Sequence, residues 1–163
     1  MSRLALALTF CACTTAPPAQ PPRPAAALDA MDTRAPLPLL PMMALHQKQQ
    51  MRGHLEAVQA VIHHLSAEDW AGVEAAALRL GTSPAMAQTC EHMGAAAPGF
   101  TDQALAFHTT ADSIAAAARA HDAPGVLAAT SATLQTCTTC HAAWRQQVVD
   151  DATWAELTAA ASH

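Results

Sequence analysis

Apolar residues return every three or four positions along most of the chain that follows Pro41. This spacing places them on one side of an α-helix, whereas a half-buried strand would need them at alternate positions. Four long segments with such stripes can bury them together most simply by packing helix against helix. The predicted fold class is therefore all-α, an antiparallel four-helix bundle. In the first segment, residues 42–65, the stripe consists of Leu45, Met51, Leu55, Val58, Ile62 and Leu65.

Helix start and stop signals divide this part of the chain further. The predicted helices cover residues 42–65, 66–80, 83–93, 101–121 and 122–148, with caps at Ser66, Ser83, Thr101 and Asp122. The third of these is a short piece, and the other four form the bundle. Hydrophobic residues make up 52% of the chain but aromatic residues only 4%, because the excess is alanine. A core with so few large side chains suits a protein whose interior is partly occupied by a cofactor.

The first 13 residues have the pattern of an export signal. Arg3 precedes the apolar run 4–10, which is too short to span a bilayer as a mature helix. Ala12 before Cys13 resembles the end of a bacterial lipoprotein signal, so attachment of a lipid to Cys13 and simple export are both open. We expect a periplasmic protein, with a membrane tether if Cys13 is acylated.

The remaining chain is predicted to have three parts. Residues 14–38 are rich in proline and alanine and should form an extended, solvated tether. Residues 39–150 should form the helical domain, and residues 151–163 a short C-terminal helix or tail. The domain has no basic cluster, and the whole chain contains 8 Lys and Arg compared with 13 Asp and Glu. That balance argues against a nucleic-acid partner.

The run Cys137-Thr138-Thr139-Cys140-His141 carries the clearest chemistry. In the C-x-x-C-H pattern two thiols join the vinyl groups of a haem, and the histidine binds its iron. On a helix the three side chains stand at i, i+3 and i+4 and so share one surface. A redox dithiol would need a strand leading into its helix, and a zinc site a second C-x-x-C pair. The sequence offers neither, so we predict one covalently attached haem c and its iron, on a C-terminal haem-attachment helix.

The segment from Cys137 to Trp144 and Arg145, late in a four-helix chain, resembles the cytochrome c′ group of class II c-type cytochromes. Trp144 stands where such proteins carry Tyr or Phe, and Arg145 where they carry Arg or Lys. Residues 88–100 depart from the family pattern, next to the expected haem. The resemblance implies that His141 is the proximal iron ligand. It also makes a homodimer reasonable.

The resemblance further implies that the first helix faces the open side of the iron. Met51 is then the candidate sixth ligand, with His54 and Met43 as rivals and ordinary core packing as the alternative. Arg145, four residues after His141, could meet a haem propionate, or be a solvated charge. Trp144 is placed to pack on the macrocycle.

Two functions follow from these expectations. With Met51 on the iron, the protein would be an electron carrier that serves unidentified redox partner proteins, and not an enzyme. With the sixth position vacant, it would bind gases such as nitric oxide or carbon monoxide. A peroxidase-like activity would need His54 or Arg52 beside an open iron. Cys90 and the nearby His92, Met93 and His108 could bind copper, but packing or solvent exposure explains them more simply.

Overall fold

The computed structural model describes residues 24–161. The predicted export signal and Cys13 lie outside these residues. The chain divides into two units, the first ending at Thr33 and the second starting at Arg34. Within the first unit the structure describes one helix, α1 (Pro24–Met31).

The second unit contains six further helices and two short strands among its described residues. In chain order they are β1 (Ala35–Leu39), α2 (Pro41–Ser66), α3 (Trp70–Leu78), α4 (Pro84–Gly94), α5 (Phe100–Arg119), α6 (Ala123–Ala143), β2 (Trp144–Val148) and α7 (Asp151–Ala161). The prediction of a mostly helical chain is confirmed. Across residues 24–161 no helix combines the length and the apolarity that crossing a bilayer requires.

Helix caps agree with the sequence at two of four positions. Ser83 accepts a hydrogen bond from the Met86 amide, and Asp122 accepts one from Gly125, as expected for N-cap residues. The other two caps were predicted wrongly. Asp69, and not Ser66, caps α3 by accepting from the Gly72 amide. Helix α5 starts after Gly99, whose φ of 87° is a conformation that glycine adopts without strain.

The two strands form a small parallel sheet that the sequence did not predict. Ala35 pairs with Trp144 and Leu39 with Val148, and the Val149 amide donates to the Leu39 carbonyl at 3.0 Å. Successive residues of a parallel strand direct their backbone groups to opposite sides. The backbone of Leu39 points towards β2, so the backbone groups of Pro36 and Pro38 point away from it. Their missing N–H groups therefore remove no hydrogen bond between the two strands.

This sheet changes two of the predicted boundaries. The fourth bundle helix does not continue to Val148, because α6 ends at Ala143 and Trp144 takes the extended conformation of β2. Residues 35–38 were assigned to a solvated tether, whereas the structure places them in β1, with Leu37 only 2% exposed.

Two groups of buried side chains hold the second unit together. We call the first the main core; it joins α2, α3, α5 and the start of α6 around Val61, Val73, Ile114 and Val126. The second, which we call the sheet core, joins β1, α2, α4 and α5 around Leu37, Leu39, Met93 and Phe100. Helices pack closely in the order α2, α3, α5 and α6, but α2 and α6 are not among the closely packed pairs of the described chain.

The stripe predicted on α2 is largely on the surface. Leu45, Met51, Leu55 and Ile62 are all exposed, while the buried face of α2 consists of Ala44, Gln47, Ala57, Val58 and Val61. The periodicity correctly predicted a helix. Of the predicted stripe only Val58 is buried and Leu65 packs in part against the main core, so the buried face is rotated from the predicted one and consists of smaller side chains.

Candidate haem-attachment site

The last two turns of α6 carry Cys137, Cys140 and His141. Both thiols are half-buried and free, and His141 is exposed. Cys137 packs against the main core and Cys140 against the sheet core. The motif therefore lies where the two cores meet, with its sulfurs turned inward and its imidazole turned out.

Burial sets the acidity of the two thiols. It raises the pKa of Cys137, and burial together with the neighbouring Cys137 raises the pKa of Cys140. Catalytic dithiols are instead found at helix N-termini, where the helix dipole lowers the thiol pKa. Cys137 and Cys140 lie at the C-terminal end of α6, where the dipole opposes a thiolate. The local electrostatics thus disfavour a redox dithiol.

Trp144 starts β2 directly after the motif. Its indole lies edge-on to Phe100, with ring centres 5.7 Å apart, and its Nε1 donates to Gln103 Oε1 at 2.6 Å. Trp144 is therefore fixed against the sheet core and α5. That Trp144 also packs on a macrocycle stays a prediction.

Arg145 offers an unused hydrogen-bond donor next to the motif. Its Nε is the one buried side-chain nitrogen or oxygen, among the residues described, that has no hydrogen-bond partner. An orphaned guanidinium nitrogen is costly unless an acceptor reaches it, and an acidic group is the acceptor that guanidinium prefers. A haem propionate would supply such an acceptor, so this observation fits the predicted cofactor.

Candidate iron ligands on α2 have different surroundings. Met51 is 39% exposed and belongs to neither core. Met43 packs against the sheet core. His54 stacks on Phe107 of α5 with ring centres 4.8 Å apart, and burial and His108 lower its pKa to about 4. Of the three, only Met51 has a side chain that is not already engaged in the packing.

An exposed apolar flank runs along each of α2 and α6. On α2, Met51, Leu55 and Ile62 recur at four- and seven-residue steps, and on α6, Leu134 precedes His141 by seven residues. Residues so spaced share one side of a helix. The sequence placed Leu55 in the buried stripe of the first helix, whereas the structure leaves both Leu55 and Leu134 exposed.

A groove of about 300 Å³ lies on the other flank of α6. It is lined by Gln103 and Ala106 of α5 and by Gln135, Thr136 and Thr139 of α6. Neither cysteine nor His141 lines it. A ligand held by the motif would therefore lie on the flank of α6 that carries Leu134.

The other candidate metal ligands do not gather at one place. His92 contacts Trp154, Cys90 lies against the Met86 sulfur at 3.4 Å, and His108 bonds to the Leu80 carbonyl. Within residues 24–161 no three His, Cys, Asp or Glu side chains converge as a metal-binding group.

No protein-family model, curated protein or solved structure matches this chain.

Proposed function

We propose that the chain is a mono-haem c-type cytochrome that transfers single electrons. Cys137 and Cys140 would hold the haem and His141 would bind its iron, on an antiparallel four-helix bundle formed by α2, α3, α5 and α6. The observation that carries the proposal is the half-buried Cys137–Cys140 pair with the free imidazole of His141 in the last turns of one helix.

Each residue of the motif has a separate task. Each thiol would hold the haem through one thioether bond, made by addition of its S–H across a vinyl group with no group lost. The thioether products carry no charge, which suits their half-buried positions. His141 presents an accessible nitrogen to iron, and Arg145 Nε would bind a propionate. Bound haem supplies an iron that cycles between Fe(III) and Fe(II).

The space for the macrocycle is proposed between α2 and α6. These helices are not closely packed in the described chain, and each leaves large apolar side chains in water. Covering a half-exposed leucine-sized side chain stabilises a protein by about 1 kcal/mol. Met51, Leu55, Ile62 and Leu134 would together contribute several kcal/mol to retention of the haem within the bundle.

A five-coordinate, gas-binding site is the second candidate. It is favoured by the exposure of Met51, because no packing in the described residues holds that thioether towards α6. A peroxidase-like activity is less well supported, since His54 is stacked on Phe107 and Arg52 is exposed. The assignments of periplasmic location, lipidation of Cys13, redox partner proteins and a homodimer stay proposals from the sequence.

Covalent attachment of haem is tested by expressing the full chain together with a c-type haem-attachment system and measuring the mass of the denatured protein by mass spectrometry. We expect the mass of one haem to be added to the parent. The double variant Cys137→Ala/Cys140→Ala should gain no haem mass, because no motif thiol is left to form a thioether. Cys90→Ala is the matched control, since Cys90 is a buried free thiol outside the motif, and it should keep full attachment. A parent that acquires no covalent haem under these conditions would contradict the proposal.

The sixth ligand is tested by optical spectra of the oxidised and reduced protein, with and without carbon monoxide. A low-spin parent that ignores the gas, and a Met51→Ala variant that binds it, would support electron transfer. A high-spin parent that binds the gas at once would favour the gas-binding function. Met42→Ala, an exposed methionine of the same helix, is the control.

A further inference from the structure

A second possible ligand site lies in a cleft of about 290 Å³ between α2, the end of α3, the start of α4 and α5. The residues that line it include His54, His108 and Met86. None of the residues that line it belongs to the C-x-x-C-H motif. The cleft is therefore separate from the haem-attachment motif.

The two imidazoles stand at a distance that one metal ion can bridge. Their ring centres are 5.4 Å apart. A histidine nitrogen binds a transition metal at about 2.0 Å, so the centres of two rings on one ion lie roughly 5 to 6 Å apart when the ligand–metal–ligand angle is tetrahedral or wider.

His108 has the orientation expected of a metal ligand. Its Nδ1 lies 2.7 Å from the Leu80 carbonyl oxygen, and because a carbonyl only accepts, Nδ1 carries the proton. The other nitrogen, Nε2, keeps a lone pair and has no hydrogen-bond partner within the described residues. His108 as a residue is only 6% exposed and lines the cleft, so Nε2 is the atom through which it could bind a ligand there. A backbone carbonyl that fixes the tautomer is the usual support of a ligating histidine.

His54 and Met86 complete the donor set. His54 is held by its stacking on Phe107 and has no hydrogen-bond partner among the described residues. The Met86 sulfur accepts a contact from the Cys90 thiol on one side, and the residue lines the cleft on the other. Arg79, which also lines the cleft, is directed to Glu56 with 3.7 Å between Nη2 and Oε2. Its charge is thereby partly offset.

We propose that His54, His108 and Met86 form a binding site for copper(I). Two imidazoles and a thioether select copper(I) because the thioether is a soft ligand and because three donors satisfy that ion. Zinc would be disfavoured, since it binds few thioethers and takes four ligands of nitrogen, oxygen or thiolate. The cleft is open to solvent, so an ion could enter without unfolding of the helices.

The test is a copper(I) titration of the full chain, as purified and under anaerobic conditions, against a coloured chelator. Thiols also bind copper(I), and Cys90 contacts Met86, so the parent and every variant carry Cys90→Ala. Cys137 and Cys140 then give all of them the same background, and the comparison between variants decides. We expect Met86→Leu and His54→Gln each to weaken one equivalent of copper(I) binding by roughly tenfold or more. Met42→Leu and His92→Gln are matched controls outside the cleft and should bind as the parent does.

Met86→Leu keeps the size of a half-buried side chain, so it should fold as the parent does, which circular dichroism checks. Copper X-ray absorption should show both nitrogen and sulfur ligands in the parent, and subtracting the spectrum of Met86→Leu should isolate the signal of the copper bound in the cleft. Equal copper(I) binding by the parent, Met86→Leu and His54→Gln would overturn the proposal. Loss of the equivalent in His92→Gln would also overturn it, by placing the ion elsewhere.

Discussion

Replacing Leu37 by alanine tests whether this residue is buried, as in the structure, or solvated, as the sequence predicted. Leu37 is 2% exposed and lies in the sheet core, whereas the predicted tether would leave it in water. Leu→Ala removes about three methylene equivalents, worth roughly 2.4 kcal/mol at about 0.8 kcal/mol each, and leaves a partial cavity. We therefore expect the free energy of unfolding to fall by about 3 kcal/mol. A solvated leucine would change it by no more than about 0.5 kcal/mol.

Urea denaturation followed by far-ultraviolet circular dichroism measures this loss. Leu127→Ala is the control, since Leu127 is 56% exposed on α6 and its truncation should cost little. Amide hydrogen exchange gives a second readout, because the Val149 amide bonds to the Leu39 carbonyl only if β1 is in place. If Leu37→Ala unfolds at the same urea concentration as the parent, and the Val149 amide exchanges freely, then the sheet and its core have been misassigned.

Three further predictions follow from single contacts. The pKa of His54 is about 4 when folded and 6.5 ordinarily, so the unfolded chain binds more protons between these values and stability falls as pH drops. In metal-free protein we expect His54→Phe to remove about 1 kcal/mol of the loss measured between about pH 7 and pH 5, after discounting for the exposed part of the ring. Asp122→Ala deletes the N-cap of α6 and should cost about 1 kcal/mol in urea denaturation, which Asp122→Asn should largely restore. Trp144→Phe loses the hydrogen bond to Gln103 and should lower the free energy of unfolding by about 1 to 2 kcal/mol. If adding Gln103→Leu to that variant lowers it by as much again, the hydrogen bond is not the cause of the first loss.

Local signals predicted most of the helices. The spacing of Val73, Ala77 and Leu80, and the capping residues Ser83 and Asp122, act within a few residues of one another, so sequence alone reveals them. The sheet could not be predicted in the same way. Its two strands are five residues each and pair Ala35 with Trp144 across most of the chain. A five-residue strand has no stripe of its own to recognise, and β1 contains two prolines, which argue against a strand.

The candidate sites differ in the same respect. Cys137, Cys140 and His141 are neighbours in sequence, and their chemistry can be read from their order. His54 and His108 belong to different helices, and only the packing of α2 on α5 brings their rings together. Leu55 illustrates a third case, since its periodicity places it on a helix face but cannot say whether protein, cofactor or water covers that face.

The sheet also links the segment before the bundle to the haem-attachment motif. The last carbonyls of α6 have no intrahelical partners, and Arg34 donates from Nη1 to the His141 carbonyl at 3.2 Å and to that of Trp144 at 3.5 Å. β1 then holds β2, which carries Arg145, in parallel register. The position of His141 thus depends on residues 34–39, although the sequence assigned most of them to a tether. A chain that starts at residue 40 would retain every residue of the motif but lose both supports of the helix end that presents it. The smallest unit that can place His141 and Arg145 as described therefore begins at Arg34.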